Sequence, residues 1–231
     1  MQRYFSNLKQ DNYLILTKED LYHIKTVMRM KQGDNIEVVY DHKLHICQLD
    51  NDQALIKEVN NQITDKKVQY ILCVPLLQEQ KMSFVLQKAT ELGVDKIIPI
   101  LTTRSVVKIK EHQEHKLNRW YRICKEASEQ SKRLDIPFIE KVTKIEDLKL
   151  SGLKIVLSTK EKDMTIKKVL KNNLNCDKII MVVGPEGGLT DQEEKALNEL
   201  GFVSVTLGQN IMRVETVPIY LLSILNYELM E

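Results

Sequence analysis

Apolar and polar positions alternate in three short runs near the start of the chain, at 36–40, 45–49 and 54–59. Gly33 and Asp34 precede the first run, and Asn51 and Asp52 separate the last two. Period-two runs punctuated by turn residues predict half-buried strands, so the first seventy residues predict a small β-rich domain. The polar stretch 60–67 predicts a linker. Beyond it the rhythm changes. Residues 70–76 form a continuous apolar run, as a strand buried on both faces requires, and 80–92 carry Met82, Val85, Leu86, Ala89 and Leu92 at helical spacing. A strand at 96–100 follows. Strand and helix then alternate through 154–158, 165–174, 178–183, 190–200 and 203–206, which predicts a mostly parallel sheet covered on both faces. The expected domains are 1–68 and 69–231. In the final helix, 216–229, Leu221, Leu222, Ile224, Leu225 and Leu229 cover more than one stripe. Such a helix is deeply buried or forms a subunit interface.

Candidate chemistry concentrates where predicted strands end. After the run 179–183 the chain reads GPEGGLTDQEE, placing three of its eight glycines at Gly184, Gly187 and Gly188. Glycine is about half as frequent here as the usual ~7 %, so this cluster marks a place where backbone must come close to something. Thr190 followed by Glu193 predicts a capping box at the start of the next helix. A strand, a glycine loop and a helix start form a ligand-binding corner in an open α/β sheet. A phosphate loop is disfavoured: GxGxxG and GxxxxGK[ST] are both missing, Pro185 removes a backbone donor, and Glu186 puts a carboxylate where phosphate would sit. A neutral or cationic ligand suits the loop better; the bland alternative is a tight turn between strand and helix. A second loop, LGQNIMRVETVP at 207–218, follows the run 203–206. It brings Gly208, Arg213 and Glu215 to the start of the last helix, where Thr216 is a candidate N-cap and Pro218 falls in the first turn.

Composition narrows the class. Four cysteines, Cys47, Cys73, Cys124 and Cys176, lie in or beside apolar runs without CxxC or Cys/His spacing, and read as reduced structural thiols rather than metal ligands. The first residues carry no basic-then-apolar signal pattern, and no apolar run approaches the ~20 residues of a membrane span. A cytoplasmic protein is expected. Net charge is +2, yet 104–133 hold nine Lys or Arg against four Asp or Glu. That local excess suits phosphate backbones, with Trp120 and Tyr121 as candidate stacking groups. The competing view is a solvated helix face with its aromatic pair in the core.

Together GPEGGLTDQEE and LGQNIMRVET resemble the two C-terminal motifs of the RsmE family, S-adenosylmethionine-dependent methyltransferases of the SPOUT class. RMKQGD at 29–34, preceded by His23, resembles the family's N-terminal domain. KATELGVDKIIPI at 88–100 and TRSVV at 103–107 resemble its central region, and EASEQSKRLDIP at 126–137 another of its signatures. Two positions depart from the pattern: Asn210, where the family usually has arginine, and Val217, where a small residue is more usual. The resemblance implies a PUA-like β-barrel RNA-binding domain at 1–68 and a SPOUT methyltransferase domain with a trefoil knot at 69–231. It also implies a homodimer that methylates N3 of a uridine in small-subunit (16S) ribosomal RNA, acting on the assembled subunit, without metal or membrane.

On that resemblance, S-adenosyl-L-methionine contacts fall on Leu157, Ser158, Gly184, Pro185, Glu186, Gly187, Gly188, Leu207, Gly208, Ile211, Met212 and Thr216. Arg3, Arg29, Arg104, Gln130 and Arg133 are expected to meet RNA. Methyl transfer from a sulfonium demands alignment, while uridine N3 must lose its proton before it becomes a good nucleophile. Arg213 is the expected orienting cation, and Glu215, or else Glu126, the proton acceptor; either carboxylate would equally serve as an arginine partner. Two other classes compete. A pure RNA-binding module has no need of two glycine loops at one sheet edge, and a nucleotide-dependent hydrolase or dehydrogenase requires the phosphate chemistry that Pro185 and Glu186 replace.

Overall fold

The computed structural model describes residues 1–60, 67–107, 113–173 and 176–229, and every count below refers to these. Contacts gather the chain into two units, Met1–Asp65 with Lys125–Ile136, and Lys66–Cys124 with Pro137–Glu231. Residues 61–66, most of the expected linker, lie outside the described residues, as do 108–112 of the basic stretch.

In the first unit the alternating runs become β1 (Arg3–Phe5), β2 (Lys9–Gln10), β3 (Tyr13–Ile15), β4 (Asn35–Tyr40), β5 (Lys43–Asp50) and β6 (Gln53–Asn60). They form one sheet in the order β1-β4-β5-β6-β3-β2, antiparallel except for β1 beside β4. Asp41 and His42, at φ 50° and 56°, close the β4–β5 hairpin with two left-handed residues, as a type I′ turn demands. The inward positions Tyr4, Leu14, Ile36, Val38, Cys47 and Ala54 make the core. The short helix α1 (Lys18–Tyr22) starts at a capping box between Thr17 and Asp20. Asp20 also accepts from Lys125, whose ammonium lies 2.9 Å from Glu129. Burial pushes the Glu129 carboxyl up to about 7. The segment 125–136, distant in sequence, thus belongs with this sheet through buried charge as well as through Leu134 in an apolar cluster with Phe5, Val39 and Leu44.

The second unit carries the predicted α/β order: β7 (Gln69–Pro75), α2 (Glu79–Glu91), β8 (Lys96–Leu101), α3 (Gln113–Gln130, whose end joins the first unit), β9 (Phe138–Ile139) and β10 (Thr143–Lys144). It continues through β11 (Leu153–Leu157), α4 (Ile166–Lys171), β12 (Lys178–Val182), α5 (Asp191–Glu199), β13 (Val203–Val205) and α6 (Thr216–Leu229). All pairings in this sheet are parallel, in the order β10-β8-β7-β12-β11-β13 with β9 beside β8. β12 is central, Met181 pairing with Leu72 on one side and Ile155 on the other. Both faces are buried, which explains the unbroken apolar runs. Ile71, Cys73, Val156, Ile180 and Val182 cluster with Leu197 and Phe202. α2 buries Met82, Val85, Leu86 and Ala89, and α6 packs against it, Asn226 donating to Leu92 O at 2.9 Å. Because the strands are parallel, their carboxyl ends open on one edge, where ligands of such sheets bind.

Candidate active site

Five strand ends supply that edge. The chain leaves β7 toward Lys81 on α2, β8 toward Arg104, β11 toward Ser158, β12 into the GPEGG loop, and β13 into 206–217. Between them lies a cavity of about 620 Å3, walled by Leu157, Ser158, the whole run Gly184, Pro185, Glu186, Gly187 and Gly188, and by Ile211, Met212, Arg213 and Glu215. A second lobe of about 540 Å3 shares Leu157, Ser158, Ile211 and Met212 with the first and adds Leu207 and Gly208. The two glycine loops therefore meet at one place. Thr216 lines neither lobe; its N–H donates to Arg213 O at 2.9 Å and turns the chain into α6. Glu126 lines neither lobe either.

Local hydrogen bonds hold each wall. In the GPEGG loop Gly188 N–H donates to Pro185 O at 2.8 Å, closing a four-residue turn. Arg104 donates to Gly187 O at 2.8 Å, so the guanidinium braces the loop from β8's end. The predicted capping box is present: Glu193 N–H donates to Thr190 Oγ1 at 3.2 Å, and Thr190 N–H donates to Glu193 Oε2 at 2.8 Å. Glu193 Oε1 also accepts from the Thr103 N–H at 2.7 Å, joining this helix start to the TRSVV segment. In the second loop Gly208 N–H donates to Thr206 Oγ1 at 3.2 Å. The Ser158 hydroxyl donates to Glu194 Oε1 at 3.1 Å, and Lys160 pairs with Glu194 at 2.9 Å.

The electrostatics centre on a residue that the sequence pattern did not single out. Lys81 Nζ lies 2.8 Å from Glu186 Oε1 and 3.8 Å from Glu215 Oε2. Burial works to raise the Glu186 carboxyl, but the hydrogen bond and charge of Lys81 prevail and hold it below its ordinary value. Lys81 in turn is held above its ordinary value, chiefly by its hydrogen bond to Glu186. Glu215 Oε2 is buried and accepts no hydrogen bond from the described residues. Lys81 could have been found from its place in the first turn of the helix after β7, on the carboxyl edge, but its side chain belongs to no apolar stripe or glycine motif. Ile211 is 84 % exposed, an apolar side chain at the mouth of both lobes.

The expected RNA contacts differ in how far they are exposed. Arg3 is 5 % exposed; it donates to Glu37 Oε2 at 2.9 Å and to the carbonyls of Lys132 and Arg133, so it ties the first unit together. Arg133 is largely buried and grips Asp135 with two donors, at 3.3 and 2.7 Å. Trp120 is 8 % exposed and is not available for stacking, because its side of α3 faces the core, whereas Tyr121 is exposed. Arg29 and Gln130 are exposed. Cys47, Cys73 and Cys124 are buried and form no disulfide, and burial pushes the Cys47 and Cys73 thiols up to about 12. Among the described residues no helix is long and apolar enough to cross a membrane.

Comparison with known proteins agrees with this geometry. A family model described as "RNA methyltransferase domain" matches residues 64–226, and one described as "RNA methyltransferase PUA domain" matches 16–59. The chain is 35 % identical over 232 residues to ribosomal RNA small subunit methyltransferase E of Mesomycoplasma hyopneumoniae (strain 232), covering 96 % of this chain and 98 % of the relative. It is 31 % identical to the protein of the same name from Bacillus subtilis (strain 168), covering 99 % and 97 %. Among solved structures, a ribosomal RNA small subunit methyltransferase E from Neisseria gonorrhoeae bound to S-adenosyl methionine superposes with a TM-score of 0.87 at 26 % identity, covering 99 % of this chain and 98 % of that one. A PUA-like sheet followed by a parallel sheet with a cavity on its carboxyl edge defines an RNA methyltransferase of the SPOUT type. The chain belongs to the ribosomal RNA small subunit methyltransferase E family.

Proposed function

We propose that this protein transfers the methyl group of S-adenosyl-L-methionine to N3 of a uridine in 16S ribosomal RNA, on the assembled small subunit. The meeting of the two glycine loops in one cavity carries this reading. The residues fit a group that has a cationic centre and no phosphate. Glu186 and Glu215 supply carboxylates, Pro185 removes a donor that a phosphate nest would need, and a Cβ at Gly188 or Gly208 would meet no atom within 4 Å. That open backbone is what a closely held ligand requires. Leu157, Ser158, 184–188, Leu207, Gly208, Ile211 and Met212 are the contacts, with Thr216 acting through the Arg213 carbonyl.

The bound group supplies an electrophilic methyl carbon on sulfur. The chain's own task is alignment at near-attack distance, which removes an entropic barrier of several kcal/mol, roughly 7–11 in the best intramolecular cases. Glu215 takes the N3 proton through its buried Oε2, which accepts no hydrogen bond from the described residues and lies 3.8 Å from the Lys81 ammonium. Arg213, exposed on the cavity wall, balances the negative charge that the base acquires. RNA is met by Arg29 and Gln130 on the first unit and by Arg104 on the second. Residues 1–68, with 125–136 packed against them, act as the RNA-binding domain. The enzyme works in the cytoplasm as a homodimer joined through α6, and its second domain is threaded as a trefoil knot, as the family resemblance implies.

The test supplies labelled S-adenosylmethionine to unmodified small subunits and to free ribosomal RNA, then identifies the labelled nucleoside by mass spectrometry. The expected product is 3-methyluridine from the subunits. Label in a ribose or a cytosine refutes the assignment, and no label on either substrate favours a binding module.

A further inference from the structure

Lys81 stands outside both glycine loops, yet it reaches a carboxylate on each. Glu186 belongs to the turn after β12 and Glu215 to the segment after β13, while the ammonium itself rides on α2. That helix is anchored by Met82, Val85, Leu86 and Ala89 beneath it. A charge on a fixed helix, shared by two loop carboxylates, sets the spacing of the loops. An exposed lysine pair contributes little, but here the side chains are only 33 % exposed for Lys81, 32 % for Glu186 and 17 % for Glu215. Without the ammonium, two partly buried carboxylates would lose the cation they share, and like charges so placed repel. Arg213, Arg104, Lys160 and Glu194 are the other charged groups of the same cavity.

We propose that Lys81 is a positioning residue of the methyl-transfer site, clamping the GPEGG loop to the 211–215 segment through Glu186 and Glu215 so that the Glu215 carboxylate is held ready for its partner. The proposal rests on the cofactor reading of this cavity. Arg104 braces the GPEGG loop through Gly187 O from the carboxyl end of β8, and Lys81 ties that loop to its neighbour.

The experiment measures S-adenosylmethionine binding by calorimetry for wild type, Lys81→Met and Lys81→Arg at several acid and neutral pH values, with thermal denaturation of each ligand-free protein. Wild type is expected to bind. Lys81→Met should bind about tenfold more weakly or worse, the loss of one charge-assisted contact, with a melting temperature within a few degrees of wild type. Its acid limb should move to higher pH, because Glu186 keeps the burial that raises its carboxyl and loses the lysine that lowers it. Lys81→Arg should recover most of the affinity. Equal or tighter binding by Lys81→Met overturns the proposal, since removing a cation from a cavity that receives one would otherwise favour the ligand. So does an unmoved acid limb. If Lys81→Met fails to fold, Lys81→Gln is read by the same two criteria. A wild type that does not bind rejects the cofactor reading itself, and the clamp with it.

Discussion

Gly188 and Gly208 show how much a single backbone position decides. Their φ values are 70° and 126°, where a side chain costs roughly 1–3 kcal/mol of strain, while a Cβ at either would collide with nothing in the protein. The demand for glycine is thus conformational within the chain, and steric only toward a ligand. Gly188→Val and Gly208→Val should retain native circular dichroism and lose measurable S-adenosylmethionine binding. Near-normal affinity by calorimetry would remove these loops from the cofactor site. The glycines themselves were legible as a local excess in a glycine-poor chain. Arg3 and Arg133 were not: arginines in a basic chain read as phosphate contacts, and only the folded first unit reveals that Glu37, Asp135 and two backbone carbonyls consume their donors. Lys81 escaped notice for the opposite reason. Its partners lie 105 and more residues away in sequence.

Among elements, α5 ties local signals to tertiary ones. Thr190 and Glu193 were readable as a capping box from their spacing alone, and the helix begins there. The second use of Glu193, accepting from both the N–H and hydroxyl of Thr103, crosses 90 residues and could not be read. Burial works to raise this carboxyl, yet its bonds to Thr190 and Thr103 leave it below the ordinary value of 4.5. A folded value below the unfolded one stabilises the fold above about 4.5, and the contribution is lost as pH falls below that value. Glu193→Ala should therefore cost about 1–2 kcal/mol in urea denaturation at neutral pH. The gap to wild type should shrink in acid; a gap that stays constant would show that the carboxylate charge is not what stabilises this helix start. The edges of α4 were less legible than those of α5. Its predicted span 165–174 extends past the observed Ile166–Lys171, and residue 174 lies outside the described residues.

At the scale of the whole molecule, α6 poses the remaining question. Its Leu221, Leu222 and Leu225 are buried inside its own unit, yet Tyr220 is exposed and Tyr227 is 86 % exposed. A second copy meeting this side of α6 would cover both aromatic rings, the kind of residue that anchors interfaces. Sedimentation of the wild type should give a two-chain species and Tyr227→Glu a single chain with an unchanged melting temperature. A wild type that sediments as one chain rules the dimer out. The sequence alone determined the two kinds of architecture, because periods of two and of 3.6, together with unbroken apolar runs, report which faces meet a core. It also marked the two glycine loops that line the cavity, because glycine clusters and helix caps are local. Tertiary structure decided the rest. It brought 125–136 back to the first unit, buried Trp120, spent Arg3 and Arg133 on internal contacts, and set Lys81 between two loops. Each of these depends on pairings between segments far apart in the chain, and such pairings leave no period for a sequence to display.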